Sequence, residues 1–275
     1  MKILYATDLH GQSKKFKLLK DAITDHNLLI IGADVFPKHQ SSHNFIKTQE
    51  TFINGFLSDF LESIEIPVII DMGNDDCKCL QPDFLKVVDK YEHVYSSHLN
   101  KIDIDGVNFI GMHYVPDYPF GLKDWCRRDG FRITDPYQIS NPVASYKYGF
   151  NYILKFNEYL QKKFSIQHSL SNLPKSENFV FLSHAPPKNL GLDVCMDFRA
   201  VGCESVTHYI GDTKPIASLH GHIHESPTKS GKWWNKLFDT YCIQPGQIGG
   251  FGSLVYCEFN LNNIEKTLKR KEVNI

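Results

Sequence analysis

The sequence predicts an α/β fold in which a largely parallel sheet carries a site at the ends of its strands. Three observations lead there. Short apolar runs alternate with segments of helical periodicity, the order expected of strands joined by right-handed crossovers. Most of these runs stop at a cluster of Asp, Asn, Gly or His, and open parallel sheets bind ligands outside the carboxyl ends of their strands. Histidine, the commonest metal ligand, occurs 13 times in 275 residues.

Taken in order, Ile3 to Ala6 is an apolar run ending at Thr7-Asp8-Leu9-His10-Gly11, and Ser13 to Ile23 carries Phe16, Leu18, Leu19, Ala22 and Ile23 at helical spacing. Leu28 to Ile31 is continuously apolar, as a strand buried on both faces is, and ends at Gly32-Ala33-Asp34. Phe45 to Ile64 repeats apolar residues at a period near 3.6 and predicts one long amphipathic helix. Pro67 to Ile70 is a third strand, stopping at Asp71-Met72-Gly73-Asn74-Asp75-Asp76. Ile102 to Ile110 reads as a hairpin turning at Asp105-Gly106. Periodicity fails from about 112 to 148, an insertion rich in Pro, Tyr, Trp and Arg. Phe150 to Phe164 then predicts a helix, followed by a polar linker from Ser169 to Asn178. Strands resume at Phe179 to Leu182, which ends at Ser183-His184, and at Ile216 to Leu219, which ends at His220-Gly221-His222-Ile223-His224. Tyr241 to Ile243 leads into the turn Gln244-Pro245-Gly246, and a final alternating strand runs from Ser253 to Phe259.

The length suits one domain, 1–275, with a substantial core. Thirty Lys and Arg against 31 Asp and Glu, in mixed order, argue against a dedicated nucleic-acid or membrane-surface binder. Asp8 interrupts any secretory apolar segment, and no apolar run reaches membrane-spanning length, so a soluble, cytoplasmic protein is expected. Seven irregularly spaced cysteines, including Cys77-Lys78-Cys79, read as reduced thiols, mostly buried.

The polar residues at the strand ends include Asp8, His10, Asp34, Asn74, His184, His222 and His224. Seven N and O donors are too many for one tetrahedral ion and suit two adjacent cations sharing a carboxylate. Such a pair stabilises the oxygens of a phosphoryl group during in-line displacement. In this order the motifs Asp8-Leu9-His10, Gly32-Ala33-Asp34, Gly73-Asn74-Asp75-Asp76, Ser183-His184 and Gly221-His222-Ile223-His224 resemble the calcineurin-like metallophosphoesterase superfamily. The resemblance implies a four-layer α/β/β/α sandwich with two mixed β-sheets. It also implies a metal-dependent hydrolase of phosphate esters, a phosphodiesterase in the preferred reading, with a metal-bridging hydroxide as nucleophile. Asp8, His10 and His224 would hold one metal, Asn74, His184 and His222 the other, and Asp34 would bridge. The expected cofactors are two divalent ions, manganese first, with iron, zinc, nickel or magnesium as alternatives. A phosphomonoesterase and a non-catalytic scaffold on the same fold are the other readings.

There are two departures from the family pattern: Ala33 is inserted between Gly32 and Asp34, and Asp75 stands where many members carry a His that serves the leaving group. Asp75 could act as an acid only if its pKa were raised; His113, at the end of the Val107 to Ile110 strand, is a second candidate for that role. His220 matches no ligand position and is expected behind the site. In the insertion, Trp125, Arg127 and Arg128 are candidate substrate contacts for a phosphate ester, nucleotides included, together with Tyr114, Tyr118, Phe120, Lys123, Arg132, Tyr137, Tyr146 and Tyr148. A self-packed cap is the alternative for these residues. His39 and His43 are expected on a surface loop.

Overall fold

The computed structural model describes residues 1–38, 44–130, 138–247 and 253–274. In chain order its strands are β1 (Lys2–Ala6), β2 (Leu28–Ile31), β3 (Val68–Ile70), β4 (Val94–Tyr95), β5 (Lys101–Ile104), β6 (Val107–Gly111), β7 (Val143–Tyr146), β8 (Gly149–Tyr152), β9 (Phe179–Leu182), β10 (Ala217–Leu219), β11 (Trp234–Leu237), β12 (Thr240–Ile243), β13 (Leu254–Asn260) and β14 (Lys269–Val273). One six-stranded sheet has the order β14-β13-β1-β2-β3-β4, the other β11-β12-β10-β9-β6-β5, and β7 pairs with β8 alone. The middle of each sheet is parallel: β1, β2, β3 and β4 in the first, β6, β9, β10 and β12 in the second. Antiparallel strands flank the parallel ones on the β13–β14 side of the first sheet and at both edges, β11 and β5, of the second, so both sheets are mixed.

Apolar alternation explains why the sheets stack. Ile3 and Tyr5 of β1, Leu28 and Ile30 of β2, and Val180 and Leu182 of β9 belong to one core, between the sheets. Leu4, Ala6, Leu29, Ile31, Phe179 and Phe181 point the other way, into the core beneath the helices. Strands buried on both faces read as unbroken apolar runs, which is why the sequence marks them so clearly. The result is the four-layer α/β/β/α sandwich.

Two helical expectations change. The run from Phe45 is helical as far as Glu62, but it widens into a π-helical turn over Ile53–Leu57, around the poor helix formers Asn54 and Gly55. The predicted helix from Phe150 begins instead as β8; only Phe156–Gln161 is helical, and a second helix, Ile166–Ser171, occupies part of the expected linker. Phe150 pairs with Ser145 across the β7–β8 hairpin, so tertiary pairing overrides its helical spacing. A helix at Glu204–Thr213, which buries Val206 and Ile210, was not expected.

The insertion is packed against the strand ends. Lys123 is fully buried, its Nζ 2.9 Å from Asp117 Oδ1 and 4.4 Å from the centre of the Tyr118 ring. Asp124 accepts hydrogen bonds from the backbone N–H of Lys78 and of Ser145, tying the insertion to the segment that follows Asn74.

Candidate metal centre

The polar clusters converge because they follow neighbouring parallel strands of the two facing sheets. Asp8 and His10 follow β1, Asp34 follows β2 and Asn74 follows β3; His184 follows β9, and His222 and His224 follow β10. Across the gap between sheets, His184 Nε2 lies 2.9 Å from Asn74 Oδ1 and 3.2 Å from Asp34 Oδ2. His224 Nε2 lies 3.2 Å from Asp8 Oδ1 and 3.1 Å from His10 Nε2. The His222 ring centre is 5.2 Å from that of His184. All seven expected donors therefore meet at one place.

The backbone there is strained in a consistent way. Asp8, His10, Asp34 and His222 have φ of 57°, 47°, 59° and 71°, the left-handed region that costs energy for residues with a Cβ. Two glycines of the motifs are required by close approach. A Cβ on Gly73 would stand 2.2 Å from Asp34 Oδ1, and one on Gly221 would stand 2.5 Å from Asp8 Oδ2. The ligand loops are also cross-braced by residues other than the seven expected donors. Asp76 accepts hydrogen bonds from the N–H groups of Val35, Phe36 and Gly73, joining the Asp34 and Asn74 loops. Gln244 donates to Ile223 O, and Gln247 donates to Thr7 O, fixing the β10 loop and the β1 end. The only sequence signal for this pair was the turn at Pro245-Gly246 between them.

The donor chemistry fits divalent cations. Among the described residues, Asp8 Oδ2, His10 Nδ1 and His184 Nδ1 are buried without a hydrogen-bond partner, whereas buried polar groups are ordinarily satisfied. Donor atoms of Asp8, His10 and His224, and of Asp8, Asp34 and His184, lie close enough together to share an ion. Burial lowers His10 to about 4 and His222 to about 3, leaving neutral imidazoles with free lone pairs. For His184 burial works the same way but loses to Asp34 and then Asp8, which raise it to about 9. Burial likewise opposes ionisation of Asp8 and Asp34, yet His224 and His184 hold them below the usual carboxylate range. A buried cluster of two carboxylates held ionised by imidazoles is a site organised for positive charge.

His220 stands behind this cluster. It is fully buried; its Nδ1–H donates to Ser183 O (2.9 Å) and Ala185 O (3.1 Å), and Ser218 Oγ donates to its Nε2. Because carbonyls only accept, the ring is the neutral Nδ1–H tautomer. Replacing His220 with Ala is expected to lower unfolding free energy by roughly 2–4 kcal/mol, from the cavity and the stranded carbonyls, measured by urea denaturation. Burial lowers its pKa to about 4, so the unfolded chain binds a proton that the folded chain refuses. Its contribution is intact above about pH 6.5 and is lost as pH falls towards 4. A His220→Ala variant as stable as the parent at pH 7 would refute this.

Other expected site residues lie elsewhere. His113 is buried with its Nε2 3.0 Å from Asp71 Oδ2, and both line a small internal cavity that His184 also lines, so its ring is engaged by a carboxylate. Trp125 is buried and donates its indole N–H to Asp76 O. Arg127 donates to the carbonyls of Asp124 and Cys126 and lies over the Tyr114 ring, while Arg128 faces the carbonyls of Leu160 and Lys163. Arg127 braces the insertion itself, Trp125 ties it to the Asn74 loop and Arg128 ties it to the helix that follows, so all three are engaged by backbone carbonyls. Tyr114 and Tyr118 are buried in the same packing, with Tyr118 touching His222 edge-on at 5.8 Å. Asp75 does reach the site: its N–H donates to Asp34 Oδ1, and its Oδ2 lies 3.9 Å from His10 Nδ1 and 2.9 Å from Lys38 Nζ. Lys38 was missed because nothing in its sequence context distinguishes it from a surface lysine. His39, His43, Arg132 and Tyr137 lie outside the described residues.

Four layers with a donor cluster of this chemistry at the strand ends are the architecture of metal-dependent phosphoester hydrolases. The chain belongs to the calcineurin-like phosphoesterase family, whose profile matches residues 1–226. Comparison with curated proteins finds no match. Among solved structures, the protein TT1561 of Thermus thermophilus is 17% identical, with 99% of this chain and 98% of that one covered at a TM-score of 0.54. A dimetal phosphatase from Danio rerio is 10% identical, with 100% and 98% covered at a TM-score of 0.53. At these identities the likeness is one of fold. Among the described residues, no helix is long and apolar enough to cross a membrane.

Proposed function

We propose that the protein is a metal-dependent phosphodiesterase. The observation that carries this reading is the meeting of Asp8, His10, Asp34, Asn74, His184, His222 and His224 at one place at the strand ends, with no expected donor absent. Asp8, His10 and His224 would hold one cation, Asn74, His184 and His222 a second, and Asp34 would serve both. When bound, the pair of cations supplies a water-derived nucleophile and neutralises charge on the phosphoryl oxygens.

Preference for a diester follows from Asp75. A carboxylate occupies the place where many relatives have an imidazole, with Lys38 as its ion-pair partner. A monoester brings a second negative charge to this carboxylate, and one unit charge at 4 Å costs about 1–4 kcal/mol at dielectric constants of about 80 to 20. A monoanionic diester avoids that cost. The test is to strip metal, restore Mn²⁺ and compare bis(p-nitrophenyl) phosphate with p-nitrophenyl phosphate. Diester hydrolysis is expected to return and to exceed monoester hydrolysis about tenfold or more in kcat/KM. A faster monoester reaction overturns the diester preference, and hydrolysis of neither ester overturns the enzyme reading.

A further inference from the structure

Beside the donor cluster lies a pocket of about 740 Å³, within the 300–1,000 Å³ range usual for small-molecule sites. Its wall is made by Phe45, Phe120, Leu122, Val143, Phe150 and Tyr152, contributed by the long helix, the insertion and the β7–β8 hairpin. None of these side chains serves the donor cluster. Phe120 is 58% and Tyr152 70% exposed, a large apolar surface left open to water at one place.

Two bridges make the pocket continuous with the candidate metal centre. On one side, Asp75 lines the pocket and lies next to His10, and its partner Lys38 lines the pocket too. On the other side, the Tyr118 ring contacts His222 at 5.8 Å and Phe120 at 6.3 Å between ring centres. The pocket is therefore within reach of an ester group on a phosphate at the donor cluster, with the Lys38 ammonium at the junction.

The wall chemistry selects the kind of ester group. Phe45 and Phe150 stack on each other at 22° between planes, and the rings of Phe120 and Tyr152 are exposed, so aromatic side chains make up much of the wall. Ser140 and Asn141 lie on the same wall and offer polar atoms to the edge of a heterocycle. An alkyl chain would use the rings and leave those polar groups without purpose, whereas a nucleobase uses both, because every base combines a π face with a polar edge. We infer that the pocket binds an aromatic ring system of nucleobase size, carried on an ester group of the phosphate substrate, with Lys38 facing a phosphate oxygen at the junction. This rests on the phosphodiesterase reading for its turnover but not for its binding.

Two measurements keep the inferences separate. In the first, Mn²⁺-loaded protein is titrated with thymidine 5′-phosphate, hexyl phosphate and methyl phosphate. The thymidine ester is expected to bind about tenfold tighter than the methyl ester, and Phe120→Ala should bring the two within about twofold. Equal binding of all three probes in the parent protein overturns the pocket, and hexyl phosphate binding as tightly as thymidine 5′-phosphate overturns the aromatic ligand. In the second, thymidine 5′-(p-nitrophenyl phosphate) and methyl p-nitrophenyl phosphate, which share a leaving group, are compared as substrates. The thymidine ester should be favoured about tenfold in kcat/KM, with the ratio falling towards one in Phe120→Ala. If neither ester is hydrolysed, the diesterase reading fails while the titration still decides the pocket.

Discussion

Asp34→Asn is expected to reduce phosphodiester turnover at least about 100-fold and to leave fewer than two metal ions bound per chain. Asp34 Oδ1 accepts the Asp75 N–H, and Oδ2 faces His184 Nε2 at 3.2 Å. An asparagine can keep the first contact with its carbonyl, but its amide then presents N–H donors to the space where a cation would sit. The volume is conserved, so the metal-free fold should survive. Even residues that only support metal ligands cost 10–100-fold in affinity or activity when mutated, which makes that figure a lower bound for a shared ligand. Turnover and metal content measured on one preparation decide it. Two ions per chain with more than a tenth of the parent activity would remove Asp34 from its proposed role.

Removing metal is expected to lower Tm by roughly 8–16 °C. A ligand present at a thousand times its Kd stabilises the folded state by about 4 kcal/mol, and each kcal/mol is worth about 2–4 °C in a chain of this size. The gap should depend on pH in a definite direction. Without metal, His184 is held protonated up to about 9 by Asp34 and Asp8 after burial is outweighed. Its folded pKa is raised, so it stabilises the metal-free fold fully below about pH 6.5, and this contribution is lost as pH rises through about 9. A metal needs the neutral ring and must displace that proton. Both effects widen the Tm difference between EDTA-treated and metal-loaded protein from pH 6.5 to 9. Calorimetry in buffers of different ionisation enthalpy should detect close to one proton released per chain at pH 7.5. A Tm indifferent to EDTA throughout this range would contradict the assignment of the cluster to metal.

The donors themselves were legible because strand-end chemistry is local in sequence. Asp8 and His10, Gly73 and Asn74, or Gly221, His222 and His224 each lie within a few residues of an apolar run that could only be a buried strand. The insertion was not legible in the same way. Trp125, Arg127 and Arg128 have the composition of a phosphate and base contact, yet their polar atoms are satisfied by nearby backbone carbonyls. A side chain's type states what it can bond to, and only its neighbours decide what it does bond to. His113 shows the same limit: it ends the expected strand, but Asp71, from a strand of the other sheet, takes its ring.

By itself, then, the sequence determined the alternation of strands and helices from short-range pattern, and its ordered motifs carried the resemblance that implied the four-layer family fold and the candidate ligands. Only the tertiary structure decided that Lys38 stands against Asp75, that Phe150 belongs to a strand, and that Phe45, Phe120 and Tyr152 share one pocket. Those facts depend on contacts between segments far apart in the chain, where packing and charge pairing override local preference.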